Sequence, residues 1–177
     1  RGVTYFSDQK TKRLFYAAGP NLFCVDADTG TLVKEFGTNG ELDLHQDLDR
    51  EAASLYIAMT SPGIIYKDLL IIGSRVNEGA TALPGYIRAY DVHTGALRWK
   101  FHTIPKPGEL GYESWEDKQA WKNVGGANAW AGFSLDEKRG IVYAPLGSAT
   151  YDFYGGKRKG NNLFANSILA LDAATGK

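Results

Sequence analysis

The sequence predicts an all-β repeat array, most simply a β-propeller. Three observations lead there. One signature recurs three times, at Leu22 to Gly30, Ile87 to Gly95 and Ile168 to Gly176: an apolar run, an Asp, two variable residues, then Thr-Gly. Apolar stretches of strand length alternate with short polar turns, and no window holds a 3.6-residue apolar period over a helical length. Gly is 21 of 177 residues and aromatics are 12%, a composition suited to turn-rich sheet. Small sheets repeated around an axis satisfy all three observations.

The elements follow in order. Residues 2–6 and 13–18 read as strands around a polar turn at 7–12. The first signature gives a strand at 22–26 and a second at Thr31-Leu32-Val33-Lys34-Glu35-Phe36. Its Asp26 can accept hydrogen bonds from turn amides, and its Gly30 can take the positive φ that closes the turn. A long polar insertion follows at 37–54. Residues 63–66 and 69–73 form a hairpin over Lys67-Asp68. The second signature pairs 87–91 with 96–101, and a second insertion occupies 102–125, with a short helix near 114–122 that Ser114 could cap. Residues 130–135 and 140–146 form another hairpin, and the third signature closes the chain. The signature Asp residues lie 65 and 81 apart, wider than the ~40–50 residues of an ordinary blade, so the insertions sit on a rigid scaffold as functional loops do. The approximate blades are 1–54, 55–125 and 126–177, one partial domain over 1–177.

Composition removes several function classes. Lys plus Arg equals Asp plus Glu at 20 each, which argues against nucleic-acid binding and against a polybasic membrane surface. The longest apolar run, Leu69 to Ile72, is too short to span a bilayer. The single Cys24 sits in an apolar run and reads as a small buried hydrophobe. His45, His93 and His102 have no metal-site spacing. Lys157-Arg158-Lys159 and the acidic Glu113, Glu116 and Asp117 read as solvated loops. No phosphate loop or nucleophile elbow is present. The chain opens at Arg1 without Met and stops just after a turn motif, and is expected to be part of something longer.

The second repeat is complete from Asp91 through Thr94-Gly95 to Trp99. This pattern resembles the tryptophan-docking motif of quinoprotein dehydrogenases, eight-bladed propellers that hold pyrroloquinoline quinone (PQQ) and a divalent metal. Arg1-Gly2-Val3, Pro84 to Asp91 and Phe101 to Pro105 are also similar to that family, so the resemblance covers nearly the whole chain. It implies that these 177 residues make about three of the eight blades. Asn128-Ala129-Trp130, Tyr143 to Ser148, Tyr151 to Arg158 and Leu163 to Leu171 are similar to the sugar-oxidising, glucose dehydrogenase branch.

The resemblance implies roles for single residues. Trp130 looks like the indole on which the planar quinone stacks, and a flat ring system gains from an aromatic face. Arg1 looks like the arginine paired with a PQQ carboxylate, for which a guanidinium fork is apt. Thr60 falls where a threonine bonds a PQQ carboxylate. Asn128 looks like a cofactor contact, with Arg75 and Asn77 on the same side. Glu78, 18 residues after Thr60, has the spacing of the metal-ligating glutamate, and carboxylate oxygen suits Ca²⁺ or Mg²⁺. The alcohol-oxidising pattern puts an Asn ligand 18 residues after the stacking Trp, where this chain has Ser148, a poorer metal ligand.

The expected catalytic Asp base falls beyond Lys177, so no catalytic residue is expected within the chain. The resemblance implies that this base takes the hydroxyl proton while hydride passes to the quinone. It further implies a sugar or alcohol substrate, cytochrome c or ubiquinone as electron acceptor, and a periplasmic location. Attachment to the inner membrane would come through a part outside this chain. The alternatives are a PQQ-dependent alcohol dehydrogenase and a non-catalytic propeller scaffold, since the repeats alone fit all three.

Overall fold

A computed structural model describes residues 2–177. Strands β1 (Thr4–Ser7), β2 (Lys12–Ala18), β3 (Asn21–Asp26) and β4 (Glu41–Asp43) form an antiparallel four-stranded sheet in chain order. The next strand, β5 (Ile57–Ala58), leaves that sheet. β6 (Ile64–Tyr66) and β7 (Leu69–Ile72) begin a second sheet. β8 (Arg75–Val76) turns back to pair with β5, and β9 (Ile87–Asp91) and β10 (Leu97–Phe101) complete the second sheet in the order β10-β9-β7-β6. β11 (Ser134–Asp136), β12 (Ile141–Pro145) and β13 (Ile168–Asp172) form the third sheet. These are propeller blades in series. The alternation of buried and exposed residues along β12 and β13 is the two-residue period of a half-buried strand.

The three signature turns share one geometry. Asp26 Oδ1 accepts from the Thr29 amide and hydroxyl, both at 2.8 Å. Asp91 Oδ1 accepts from the Thr94 amide and hydroxyl at 2.9 and 3.1 Å, and Asp172 Oδ1 from those of Thr175 at 2.8 and 2.9 Å. Gly30, Gly95 and Gly176 follow with φ of 72°, 72° and 71°, a region that L side chains rarely adopt. The repeat therefore encodes a turn built from one carboxylate and one glycine.

These turns also join the blades. Trp99 of β10 donates its Nε1 hydrogen to the Ala173 carbonyl, and its ring packs on Gly176 of the third turn. At the preceding joint the fully buried Phe36 takes the corresponding place, the Gly37 amide donates to the Thr94 carbonyl at 2.9 Å, and Arg13 Nη1 donates to the carbonyls of Val92 and His93. The buried core includes one cluster around Phe15, Leu22, Phe36 and Leu70, another around Ile71, Trp99, Val142 and Leu171, and a third around Ile104, Trp115 and Ala149 beneath the second insertion.

Four local expectations change. Residues 31–36 do not form a strand: only Val25 and Leu32 bridge. The cause is the turn that follows, where Gly37, Asn39 and Gly40 all have positive φ and fold the chain back. β4 then arises inside the 37–54 insertion, and the Gly40 carbonyl takes the Cys24 amide. Residues 130–133 lie outside β11, because Trp130 turns toward a pocket rather than along the sheet. The 114–122 region holds a 3₁₀ turn at Tyr112–Ser114 and a single α-turn, α1 (Ala120–Asn123), and Ser114 caps neither. Its hydroxyl donates to Gly111 and accepts from the Leu163 amide, tying two loops instead.

The two insertions clamp each other. The Asp49 carboxylate receives Lys106 Nζ at 2.8 Å, His102 Nε2 at 3.1 Å, and Lys100 Nζ. His102 Nδ1 is paired with Glu109 at 2.7 Å. Arg50 Nη2 donates to the carbonyls of Trp121 and Val124. Burial works against the Asp49 charge, but the bonds from Lys100 and Lys106 outweigh it and hold the carboxyl down to about 2.

Candidate cofactor pocket

A pocket of about 410 Å³ opens where the β5–β8 ribbon meets the end of β12. β5 and β8 pair Ile57 with Val76 and Ala58 with Arg75, which sets the segments 60–61 and 75–78 side by side. A second lacing fixes the far wall. The Gly85 amide donates to Gly126, the Gly126 amide to Leu83, the Ala127 amide to Ser148, and the Gly147 amide to Asn128. Three separate stretches are thereby brought to one cavity.

Thr60, Arg75, Asn77, Glu78, Asn128, Trp130 and Ser148 all line it. Every described residue to which the resemblance gave a cofactor or metal role is thus in one place. Arg1 lies outside the described residues. Ser61, Val76, Gly147 and Asp152 line the pocket as well and were not singled out.

Trp130 is the large apolar surface of the cavity, with 54% of the residue exposed. An indole open to this degree on a concave wall has a free face for a flat ring. Its backbone is fixed from across the cavity: the Thr60 hydroxyl donates to the Trp130 carbonyl at 3.1 Å and the Ser61 hydroxyl at 2.6 Å. The hydroxyl hydrogen of Thr60 therefore points at a peptide carbonyl. Gly147 keeps the space beside the indole open, because a Cβ there would stand 3.4 Å from Trp130 Nε1.

Asn128 is buried, and its Nδ2 donates to the Ser74 carbonyl at 2.8 Å, which sets the amide plane at the pocket edge. Arg75 is exposed, and its guanidinium meets no acceptor among the described residues. It is placed to receive an anionic group.

The acidic side holds Glu78 and Asp152. The Asp152 amide donates to the Glu78 carbonyl at 3.3 Å, which stitches the two loops together. Burial raises the Asp152 carboxyl above its ordinary range, the Glu78 charge raises it further, and nearby Arg158 partly offsets both. Ser148 lines the same side, with its hydroxyl donating to Ala149 and accepting from Arg158. Arg158 is therefore turned inward, unlike the solvated residue its Lys157-Arg158-Lys159 setting suggests. Among the described residues no group of three or more His, Cys, Asp or Glu side chains is placed to hold a metal, so carboxylates supply only part of any ligand set.

The donors suit a planar cofactor carrying an anionic group, together with a hard cation. The indole offers the stacking face, Arg75 the positive charge, the amides of Asn77 and Asn128 directional bonds, and Glu78 and Asp152 hard anionic oxygen.

Comparison with known proteins gives the family. All of residues 1–177 match the family described as PQQ: glucose/ethanol/alcohol dehydrogenase, β-propeller domain. The quinate/shikimate dehydrogenase (quinone) of Acinetobacter baylyi is 37% identical over 166 residues, 88% of this chain and 19% of that protein. The quinoprotein glucose dehydrogenase of Escherichia coli is 33% identical, over 88% of this chain and 19% of that protein. Among solved structures, a europium-containing methanol dehydrogenase aligns over 100% of this chain and 31% of its own, with TM-score 0.78 and 21% identity. The chain spans about a fifth of the length of the curated relatives it matches first.

Proposed function

From its membership of the PQQ-dependent glucose, ethanol and alcohol dehydrogenase propeller family, we propose that this chain forms the quinone floor and part of the cation site of a dehydrogenase oxidising a CH–OH group. A sugar-type, ring-borne hydroxyl of the glucose kind is the proposed substrate. The observation that carries the reading is the gathering of Trp130, Asn128, Arg75, Asn77 and Glu78 around one cavity. A concave cavity that combines an open indole with an arginine, amides and carboxylates suits a small planar ligand better than the flat face of a docking protein.

When bound, PQQ supplies the two-electron acceptor, and Ca²⁺ or Mg²⁺ polarises its carbonyl as a Lewis acid. Trp130 holds one face of the ring, and its own position is set by Thr60 and Ser61. Arg75, with Arg1 and Asn128, orients the anionic rim, while Thr60 acts on the site by holding the Trp130 backbone. Glu78 holds the cation. None of these side chains accepts the substrate proton, and that role falls to an Asp outside this chain.

The sugar preference rests on Asn128 and Ser148, and on relatives of 33–37% identity named for glucose and for quinate or shikimate. Relatives named for glycerol and alcohol stand at 28–30%. A periplasmic setting completes the reading, with electrons handed to cytochrome c or ubiquinone. No described helix is long and apolar enough to cross a membrane.

The test is dye reduction by the complete polypeptide supplied with PQQ and Ca²⁺, first with glucose, then with ethanol. Glucose-dependent reduction that requires PQQ supports the reading. Reduction with ethanol alone keeps the site and moves the substrate. No PQQ binding and no reduction overturns it.

A further inference from the structure

Ser148 stands where the alcohol-oxidising pattern has an amide ligand, but its hydroxyl is already engaged. It donates to the Ala149 carbonyl at 3.0 Å and accepts from Arg158 Nη2 at 2.9 Å. Arg158 is itself pinned. Its Nε and Nη2 both donate to the Tyr151 carbonyl at 3.3 Å, and Nη1 reaches Asn162 Oδ1 at 3.4 Å. A Ca²⁺–oxygen bond is about 2.4 Å. A cation on the Ser148 oxygen would therefore sit roughly 5 Å from a guanidinium nitrogen, and like charges at that range repel.

Four residues on, Asp152 lines the same wall. Its amide donates to the Glu78 carbonyl, so the two carboxylates are carried by loops that are joined next to the site. Neither carboxylate has a hydrogen bond or ion pair among the described residues. Two carboxylates lining one cavity repel each other, with the Arg158 guanidinium near Asp152 as only a partial offset, and a divalent cation between them removes the repulsion.

Resting on the cofactor reading above, the geometry points to Asp152 rather than Ser148 as the second protein ligand of the cation, opposite Glu78. Arg158 is the positioning residue that withdraws the Ser148 hydroxyl. Oxygens of the pocket amides, of the cofactor and of water complete the ligand set. The exchange replaces a neutral donor by an anionic one, which favours a hard divalent ion.

The test is calorimetric titration of the complete polypeptide with Ca²⁺, with and without PQQ. Asp152→Asn and Glu78→Gln each weaken Ca²⁺ binding at least tenfold, while Ser148→Ala changes it less than twofold. In the unmodified protein, Ca²⁺ protects Asp152 and Glu78 together from carbodiimide labelling mapped by mass spectrometry, a readout that needs no variant to fold. Loss of affinity in S148A with full affinity in D152N overturns the assignment. So does equal labelling of Asp152 with and without Ca²⁺, or no Ca²⁺ binding in either state. PQQ binding, followed separately by quenching of Trp fluorescence without cation, reports on the cofactor reading. Its failure leaves the Ca²⁺ result on Asp152 legible.

Discussion

Trp99 donates its indole hydrogen to the Ala173 carbonyl at 3.1 Å, and its ring is so close to Gly176 that a Cβ there would fall 2.5 Å from it. The contact crosses from the second blade to the third. Trp99→Ala is expected to cost about 3–5 kcal/mol through the lost ring and the cavity left behind. Trp99→Phe costs less, because it loses only part of the ring and the bond. Gly176→Ala meets both the ring and a φ of 71°, and costs at least about 1 kcal/mol. Denaturant unfolding of the complete polypeptide reads all three. Unchanged midpoints would remove this joint from the account of stability.

Trp130 carries a different expectation. Because more than half of it is exposed, Trp130→Ala is expected to leave folding nearly intact and to weaken PQQ binding by about tenfold or more. Trp130→Phe lies between. Equilibrium titration with PQQ makes the measurement, and equal affinities in all three proteins would exclude the indole from the cofactor floor.

The clamp between the insertions gives a pH dependence. Asp49 is held down to about 2 in the folded chain, below its unfolded range near 4. A depressed carboxyl contributes stability that is fully present above the unfolded value and is lost as pH falls through the folded one. Asp49→Asn is therefore expected to lose roughly 1–2 kcal/mol at neutral pH, after allowance for solvent screening. That difference from the unmodified protein closes between about pH 4 and pH 2. Chemical unfolding at several pH values tests it, and a constant difference down to pH 2 would contradict the clamp.

Cys24 lies fully buried in β3, and burial pushes its thiol up to about 11 against the pull of Arg13. Thiolate is the reactive form. Disulfide-exchange reagents at pH 8 are expected to modify Cys24 far more slowly in native protein than in denaturant. Equal rates would mean that the first blade opens readily.

Residues 1–177 expressed alone are expected to associate. Ile168 on β13 is 75% exposed, and Val3 and Tyr5 lie open on and beside β1 at the opposite end. Open sheet edges with apolar faces recruit other strands. Light scattering over a concentration series reads this, and a monomer with one sharp thermal transition would contradict it.

The turns were legible because local chemistry fixes them, and the pocket membership because the chain resembles a family whose site residues can be matched position by position. An Asp three residues before a Thr and four before a Gly closes the same turn wherever it occurs. What stayed hidden depended on distant partners. The 31–36 strand failed because the Gly37 to Gly40 reversal claims the Cys24 amide for another segment. Asp152 and Arg158 look like ordinary loop residues, and only the Asp152–Glu78 backbone bond and the bonds from Arg158 to Tyr151 and Ser148 bring them to the cavity. The one local hint was an acid four residues after Ser148, inside a loop dense in aromatics and glycine.

The docking of Trp99 on the turn at Gly176, and of Phe36 on the turn at Gly95, gives the middle blade a hook on one side and an eye on the other. Hook and eye are made by different parts of the repeat, so they never exchange roles. An array of such units has a sense of rotation written into each member. A unit inserted or removed whole leaves the remaining fastenings matched, while one reversed would present hook to hook. Damage to one turn is therefore felt in two neighbouring blades.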